Sequence, residues 1–349
     1  MLAFYHPDQQ LHDPQQFMRT GRIAAPQDLP ARTQALLGAL LARGIAPRMP
    51  DDCGADPLLA VHTADYLAFL DTAYARWQEL PGAGIEVLPN AFPYWSGRPD
   101  RDARPACRST SVIAQAGWYM GDLAVPLGPH TWRSTLRSAQ TAVAAADAVL
   151  AGNRVAYALC RPSGHHARPD RASGFCYVNN SAVAAARLRT KHAKVAVLDV
   201  DTHHGDGTQE AFYRRADVLT VSIHTDPTSY YPFFTGYADE TGSSAGVGHN
   251  LNLPLPPGSG SEAFLAALDG ALSLIRAFAP GALVVALGFD AHRQDPLGVL
   301  GLATDDFAAI AGRIAALGLP TALVQEGGYA VDVIGDCLGA VIDGFRAET

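Results

Sequence analysis

The stretch "VAVLDVDTHHGDGTQ", residues 195–209, runs four apolar residues straight into Asp199, Asp201, His203, His204 and Asp206. A β-branched apolar run of this kind predicts a strand covered on both faces. Charged groups at the end of such a strand are expensive to bury unless they are paired or hold a metal. Asp199, Asp201 and His203 lie at i, i+2 and i+4, and share one face if the extended geometry continues past Asp201. The competing reading is a polar loop in which Asp206 caps a following helix.

Working outward, the same pattern recurs. Apolar runs at 155–160, 218–224, 282–290 and 321–329 alternate with helix-like stretches at 131–152, 179–193, 261–279, 305–318 and 331–345. Such alternation predicts an α/β fold with a central, mainly parallel sheet and helices on both faces. The runs lead into "RPSGHH", "DVDTHHGDG", "SIH", "FDAHRQD" and "EGGYA". The polar clusters thus fall at the carboxyl ends of successive strands, the edge where open α/β sheets bind ligands. Residues 57–79 read as helical and 81–110, rich in Pro, Gly, Arg and Asp, as a long loop. Neither a repeat nor a linker divides the chain, so one domain over 1–349 is expected, with an insertion at about 81–131.

The net charge of −8 argues against nucleic-acid binding through a basic surface. Apolar stretches fall short of the ~20 residues needed to span a bilayer, so no membrane association is expected. Five scattered cysteines without a CxxC pair, and an N-terminus unlike a signal peptide, point to a reduced cytoplasmic setting.

Asp201 and His203 offer two ligands on one loop, and Asp290 at another strand end offers a third. Three protein ligands and an open position are the pattern of a catalytic zinc site. The oxygen-rich set also admits Fe(II), Co(II) or Mn(II). The tandem His165 and His166 suit general acid–base work near neutrality. Asp199 and Asp206 remain as carboxylate partners for them. Tyr329, on the Gly-rich turn after the last strand, is placed to stabilise an oxyanion.

Together, "RPSGHHARPDRASGFCYVNNSAVAA", "VLDVDTHHGDGTQEAFY", "VLTVSIH", "LGFDAHRQDPLG" and "VQEGGY" resemble the zinc-dependent histone deacetylase superfamily. The likeness is to its bacterial branch of acetylpolyamine and histone deacetylase-like amidohydrolases. They cover most of 130–349; "LHDP", "PARTQALL" and "VHTADYLAFL" extend the match more thinly. The resemblance implies the arginase/deacetylase three-layer sandwich and zinc on Asp201, His203 and Asp290. His166 would be the general base and then the acid, oriented by Asp206, with His165 its electrostatic partner, oriented by Asp199. Tyr329 would polarise the acyl carbonyl. Phe175 and Tyr231, with Gly174 and Leu297, would line the acyl channel. A structural potassium ion would sit by Asp199, Ser222, Ile223 and the backbone at Asp201 and His203.

The implied reaction is hydrolysis of the acetyl-amide of acetylpolyamines or acetyl-lysine. Protein lysine deacetylation and xenobiotic N-acyl amide hydrolysis are alternatives, and a non-catalytic zinc- or acetyl-ligand-binding protein is a rival. An arginase-like binuclear hydrolase would recruit His292 and Asp295. In the relatives the 81–131 loop builds a homodimer and, in polyamine-acting members, carries acidic residues that meet the distant ammonium. The matching positions here are Ile113 and Ala124. The loop does hold Glu86, Asp100, Asp102 and Asp122, against Arg98, Arg101, Arg104 and Arg108. Trp95, Trp118 and Tyr119 are expected to form an apolar rim, and His204 to be packed beside the site.

Overall fold

The computed structural model describes residues 1–93 and 105–347. In chain order it runs β1 (Leu2–Phe4), β2 (Phe17–Arg19), β3 (Arg22–Ala24), α1 (Pro30–Ala42), α2 (Ala64–Gln78), α3 (Val112–Tyr119), α4 (Thr131–Leu150) and β4 (Val155–Ala158). There follow α5 (Asn180–Leu188), β5 (Val195–Asp199), α6 (Asp206–Phe212), β6 (Val218–Thr225), β7 (Asn250–Leu255), α7 (Ser261–Phe278), β8 (Ala282–Leu287), α8 (Thr304–Ala315), β9 (Thr321–Gln325) and α9 (Val331–Ala347).

Among the described residues, seven strands form one sheet in the order β1-β4-β9-β8-β5-β6-β7, and every neighbouring pair is parallel. Side-chain alternation assigns its two faces. Ala196 and Leu198 of β5 pack with α1, α7, α8 and α9, while Val195 and Val197 pack with the alanine-rich α4 and α5. The result is three layers, as the alternating runs predict. A satellite cluster joins α2, α3 and Tyr177 on the α4 side.

Three features differ from the sequence reading. The edge strands β1 and β7 extend a sheet whose five inner strands were legible as apolar runs. The 81–131 segment is not all loop: α3 lies within it, and Val87 bridges Leu127. Strand β5 ends at Asp199, so the extended alternation does not continue to His203. Beside the main sheet, β2 and β3 form a hairpin whose turn residues, Thr20 and Gly21, both have positive φ (47° and 75°), the geometry of a tight two-residue hairpin turn.

Candidate active site

The four adjacent strands β4, β9, β8 and β5 deliver their carboxyl ends to one place, where the strand order also reverses direction. After β5 the backbone turns on its own carboxylates. Asp199 Oδ1 accepts from the Asp201 N–H (3.1 Å), and Asp201 Oδ1 accepts from the His203 N–H (2.9 Å). This turn separates the roles of the two aspartates. Asp201 and His203 converge with Asp290 from the end of β8, their ligating atoms all within 4.8 Å and all three residues buried. Asp199 instead faces His165, at 2.9 Å from Nδ1.

The donor set suits a divalent cation. His203 Nδ1 lies 3.1 Å from both Asp201 Oδ1 and Asp290 Oδ2. Backbone N–H groups of Gly327 and Thr202 fix the two carboxylates from behind, at 2.8 and 2.9 Å. Gly327 must be glycine for this approach: a Cβ there would stand 2.2 Å from Asp290 Oδ2 and 2.5 Å from Asp201 Oδ2. Two buried carboxylates held this close need a positive partner. His292 and Asp295 are not in the cluster. His292 contacts Thr304 and Gln294, while Asp295 accepts from the Tyr329 and Ala330 N–H groups at 2.6 and 3.1 Å.

The tandem histidines sit on the loop after β4, their ring centroids 4.0 Å apart. His165 donates to Asp199; His166 donates through Nδ1 to Asp206 Oδ1 at 2.8 Å. Their environments push them in opposite directions. Burial lowers the pKa of both, but at His165 the charges of Asp199 and Asp201 outweigh it and raise the value to about 10. At His166 burial and the neighbouring His165 charge prevail over Asp206, lowering it to about 4. Tyr329 is pushed up by burial and stays a hydroxyl; the Arg32 guanidinium lies 4.7 Å over its ring.

His166, His203 and Tyr329 open on a cavity of about 750 Å³ whose lining includes Gly174, Phe175, Tyr231 and Leu297. All four channel residues expected from the sequence therefore reach it. Phe175 packs edge-on to Tyr329, and Tyr231 edge-on to His166, at 5.6 and 5.0 Å between centroids. Ser222 and Asp199 meet in register at a separate small cavity of about 10 Å³, where His204, Gln209, Asn250 and Asn252 also contribute.

Residues 27–345 match the model of the histone deacetylase domain. The chain is 47% identical over 348 residues to acetylpolyamine amidohydrolase of Burkholderia pseudomallei, covering 99% of each chain. The chain belongs to the histone deacetylase family. It is an amide hydrolase of that family. Acetylpolyamine amidohydrolase 1 of Pseudomonas aeruginosa is 42% identical over 99% of each chain. The crystal structure of the Burkholderia pseudomallei acetylpolyamine aminohydrolase superposes with a TM-score of 0.94 over 99% of both chains.

Several residues of this deacetylase site escaped the sequence reading. Glu326, after β9, accepts from the Gly164 and His165 N–H groups at 2.6 and 3.0 Å and from the Ser181 hydroxyl at 2.6 Å, pinning the tandem-histidine loop. Burial raises its pKa to about 7. Arg32 donates to the Gly328 and Glu326 carbonyls and to Asp28, bracing the Tyr329 turn. Arg168 pairs with Asp206, and Tyr230 stacks on His203 at 5.0 Å and 15°. "QEGGY" did carry the signal for Glu326, a charged residue ending an apolar run.

The expected rim needs correction. Tyr119 is buried, donating to Asp65 at 2.7 Å and packing on Phe69; Trp118 packs on the same cluster. Neither lines the cavity, because α3 turns that face inward. The cavity wall is built instead by Phe17, Tyr230, Phe233 and Phe234. Glu86 is buried against Gln15 and Gln16, whereas Asp122 and Ala124 line the cavity. Trp95, Arg98, Asp100, Arg101, Asp102 and Arg104 lie outside the described residues. His204 is packed as expected, between Gln209 and the His224 ring.

Proposed function

We propose that the enzyme removes the acyl group from an N-acylated amine, such as an acetylpolyamine or acetyl-lysine, using zinc held by Asp201, His203 and Asp290. The observation that carries this reading is geometric: the buried Asp201–His203–Asp290 trio stands beside two tandem histidines, each on its own carboxylate, with His166, His203 and Tyr329 opening on one cavity. A metal-ligand set, a histidine oriented by a carboxylate and a hydroxyl donor gathered at one cavity are the parts that hydrolysis of an amide needs.

A divalent cation, when bound, supplies electrophilic pull on the acyl oxygen and acidifies water at the site. The chain's own groups do the rest. His166, with Nδ1–H committed to Asp206, has Nε2 free to take the proton of the attacking water. His165, hydrogen-bonded to Asp199 and packed against the His166 ring, holds the tandem pair in place beside the trio. The Tyr329 hydroxyl donates to the acyl oxygen as it becomes an oxyanion, an interaction stronger in the transition state than in the planar amide. His166 then returns the proton to the departing amine nitrogen. The apolar cavity, walled by Phe175, Tyr231 and Leu297, orients the acyl-amine stem.

The same reading includes a potassium ion beside Asp199 and Ser222, one domain over the whole chain, a homodimer through the 81–131 segment and a cytoplasmic location. The test is acetate release by zinc-loaded wild type and His166→Ala from N-acetylputrescine, N-acetylspermidine and acetyl-lysine peptides. Metal content per chain is measured alongside. One metal per chain, with release lost in the variant, supports the reading. Equal release by both proteins would overturn the role of His166.

A further inference from the structure

The cavity mouth carries a positive side chain that the reaction does not use. Arg19, exposed on β2, lines the cavity beside Phe17 and Met18. Among the described residues no carboxylate pairs with it. The hairpin is tied to the cavity wall, since the Met18 N–H donates to the Leu123 carbonyl (3.3 Å) and Phe17 packs edge-on to Phe175 at 5.2 Å. Arg19 acts electrostatically on Tyr230. The Tyr230 hydroxyl is buried and has no hydrogen-bond partner.

The negative groups nearby are already committed. Asp122 accepts from the Gly174 N–H (2.9 Å), the Tyr231 hydroxyl (2.8 Å) and the Ala124 N–H (2.8 Å). Asp206 is shared between His166 and Arg168, and Arg168 also pairs with Glu210. Ala124 brings only a methyl group to the lining. Arg19 thus adds an exposed guanidinium to the cavity lining, whose carboxylates, Asp122 and Asp206, are spoken for.

We propose that Arg19 selects acylated amines that carry a carboxylate at the end remote from the acyl-amide, and disfavours polycations. This rests on the acyl-amide reading above and specifies its substrate. A carboxylate there gains a charge-assisted contact, whereas the remote ammonium of a polyamine meets like charge.

A matched pair isolates the effect: Nε-acetyl-lysine as the free amino acid, and N-acetylcadaverine, the same chain lacking only the α-carboxylate. Wild type should favour acetyl-lysine about two- to fivefold in kcat/KM, the range of a partly exposed ion pair. Arg19→Gln should bring the ratio close to one and Arg19→Glu should invert it. High salt should erode it. Because the readout is a ratio, a general loss of activity cancels.

Binding of both compounds to His166→Ala and to His166→Ala/Arg19→Glu supplies a second ratio that needs no turnover. If that ratio moves while wild type hydrolyses neither compound, the selectivity stands and the acyl-amide reading fails. If neither ratio responds to Arg19, the proposal is overturned whatever the turnover.

Discussion

At the scale of single residues, the chemistry divides between groups that meet substrate and groups that hold them still. On the proposed mechanism, Tyr329→Phe should lower kcat by about 10²–10³-fold, with stability little changed; steady-state kinetics beside a thermal melt separates the two. Glu326 acts at one remove. In Glu326→Ala the Gly164 N–H, His165 N–H and Ser181 hydroxyl lose their acceptor, at about 1–3 kcal/mol for each buried donor left unpaired. The variant should melt at lower temperature and lose kcat as the histidine loop loosens. An unchanged melt would show that those donors find other partners. The convergence of Asp201, His203 and Asp290 and the two histidine–carboxylate pairs were legible in the sequence because their polarity contradicts their apolar surroundings. Glu326 and Arg32 were not, since a single charge beside an apolar run does not reveal whether its task is to bind a ligand or to hold backbone.

At the scale of elements, the loop between β4 and α5 bears the strictest demands. Gly174 and Phe175 both have positive φ (54° and 67°), and a Cβ on Gly174 would stand 2.5 Å from the His166 ring and 2.8 Å from the Tyr231 hydroxyl. Gly174→Ala should therefore displace the histidine or the channel wall, costing more than about tenfold in kcat/KM, the scale of a misplacement of about 1 Å. Full activity would mean that the loop can yield. Sequence reading succeeded where the apolar runs are strong: β5, β6, β8 and β9 are buried throughout, and long helices alternate with them. It missed β1, three residues long, and β7, an edge strand with Pro254 and alternating exposure. Helix α3 was hidden because its neighbours are rich in Pro and Gly. Its aromatic residues were assigned to a rim because aromatic content alone does not say which way a face turns.

Across the whole molecule, buried neutral histidines set the response to acid. His62 Nε2 accepts from the Asn179 N–H (2.9 Å) while Nδ1 meets the Arg168 carbonyl (3.1 Å). Burial lowers its pKa from 6.5 to about 4 despite those carbonyl contacts. A folded pKa below the unfolded one contributes stability above pH 6.5, and that contribution is lost as pH falls from 6.5 toward 4. His62→Gln should therefore flatten the stability–pH curve in that window by about 1.4 kcal/mol per pH unit. Denaturant unfolding at stepped pH measures the slope, and equal slopes in both proteins would exclude His62 as the cause. Metal removal acts on the same balance: at a free cation concentration of 100 Kd, binding adds about 2.7 kcal/mol, so chelation should lower the melting temperature by several degrees. The order of the strands has one more consequence, for the chain as it is made. The donors just after β5 are in place early, but Asp290 comes 87 residues after His203, and the Gly327 N–H that steadies Asp201 comes 126 residues after it. A nascent chain still short of β8 has two of the three donors. On the proposed reading, the full set of metal donors exists only once the chain has been made past the end of β8.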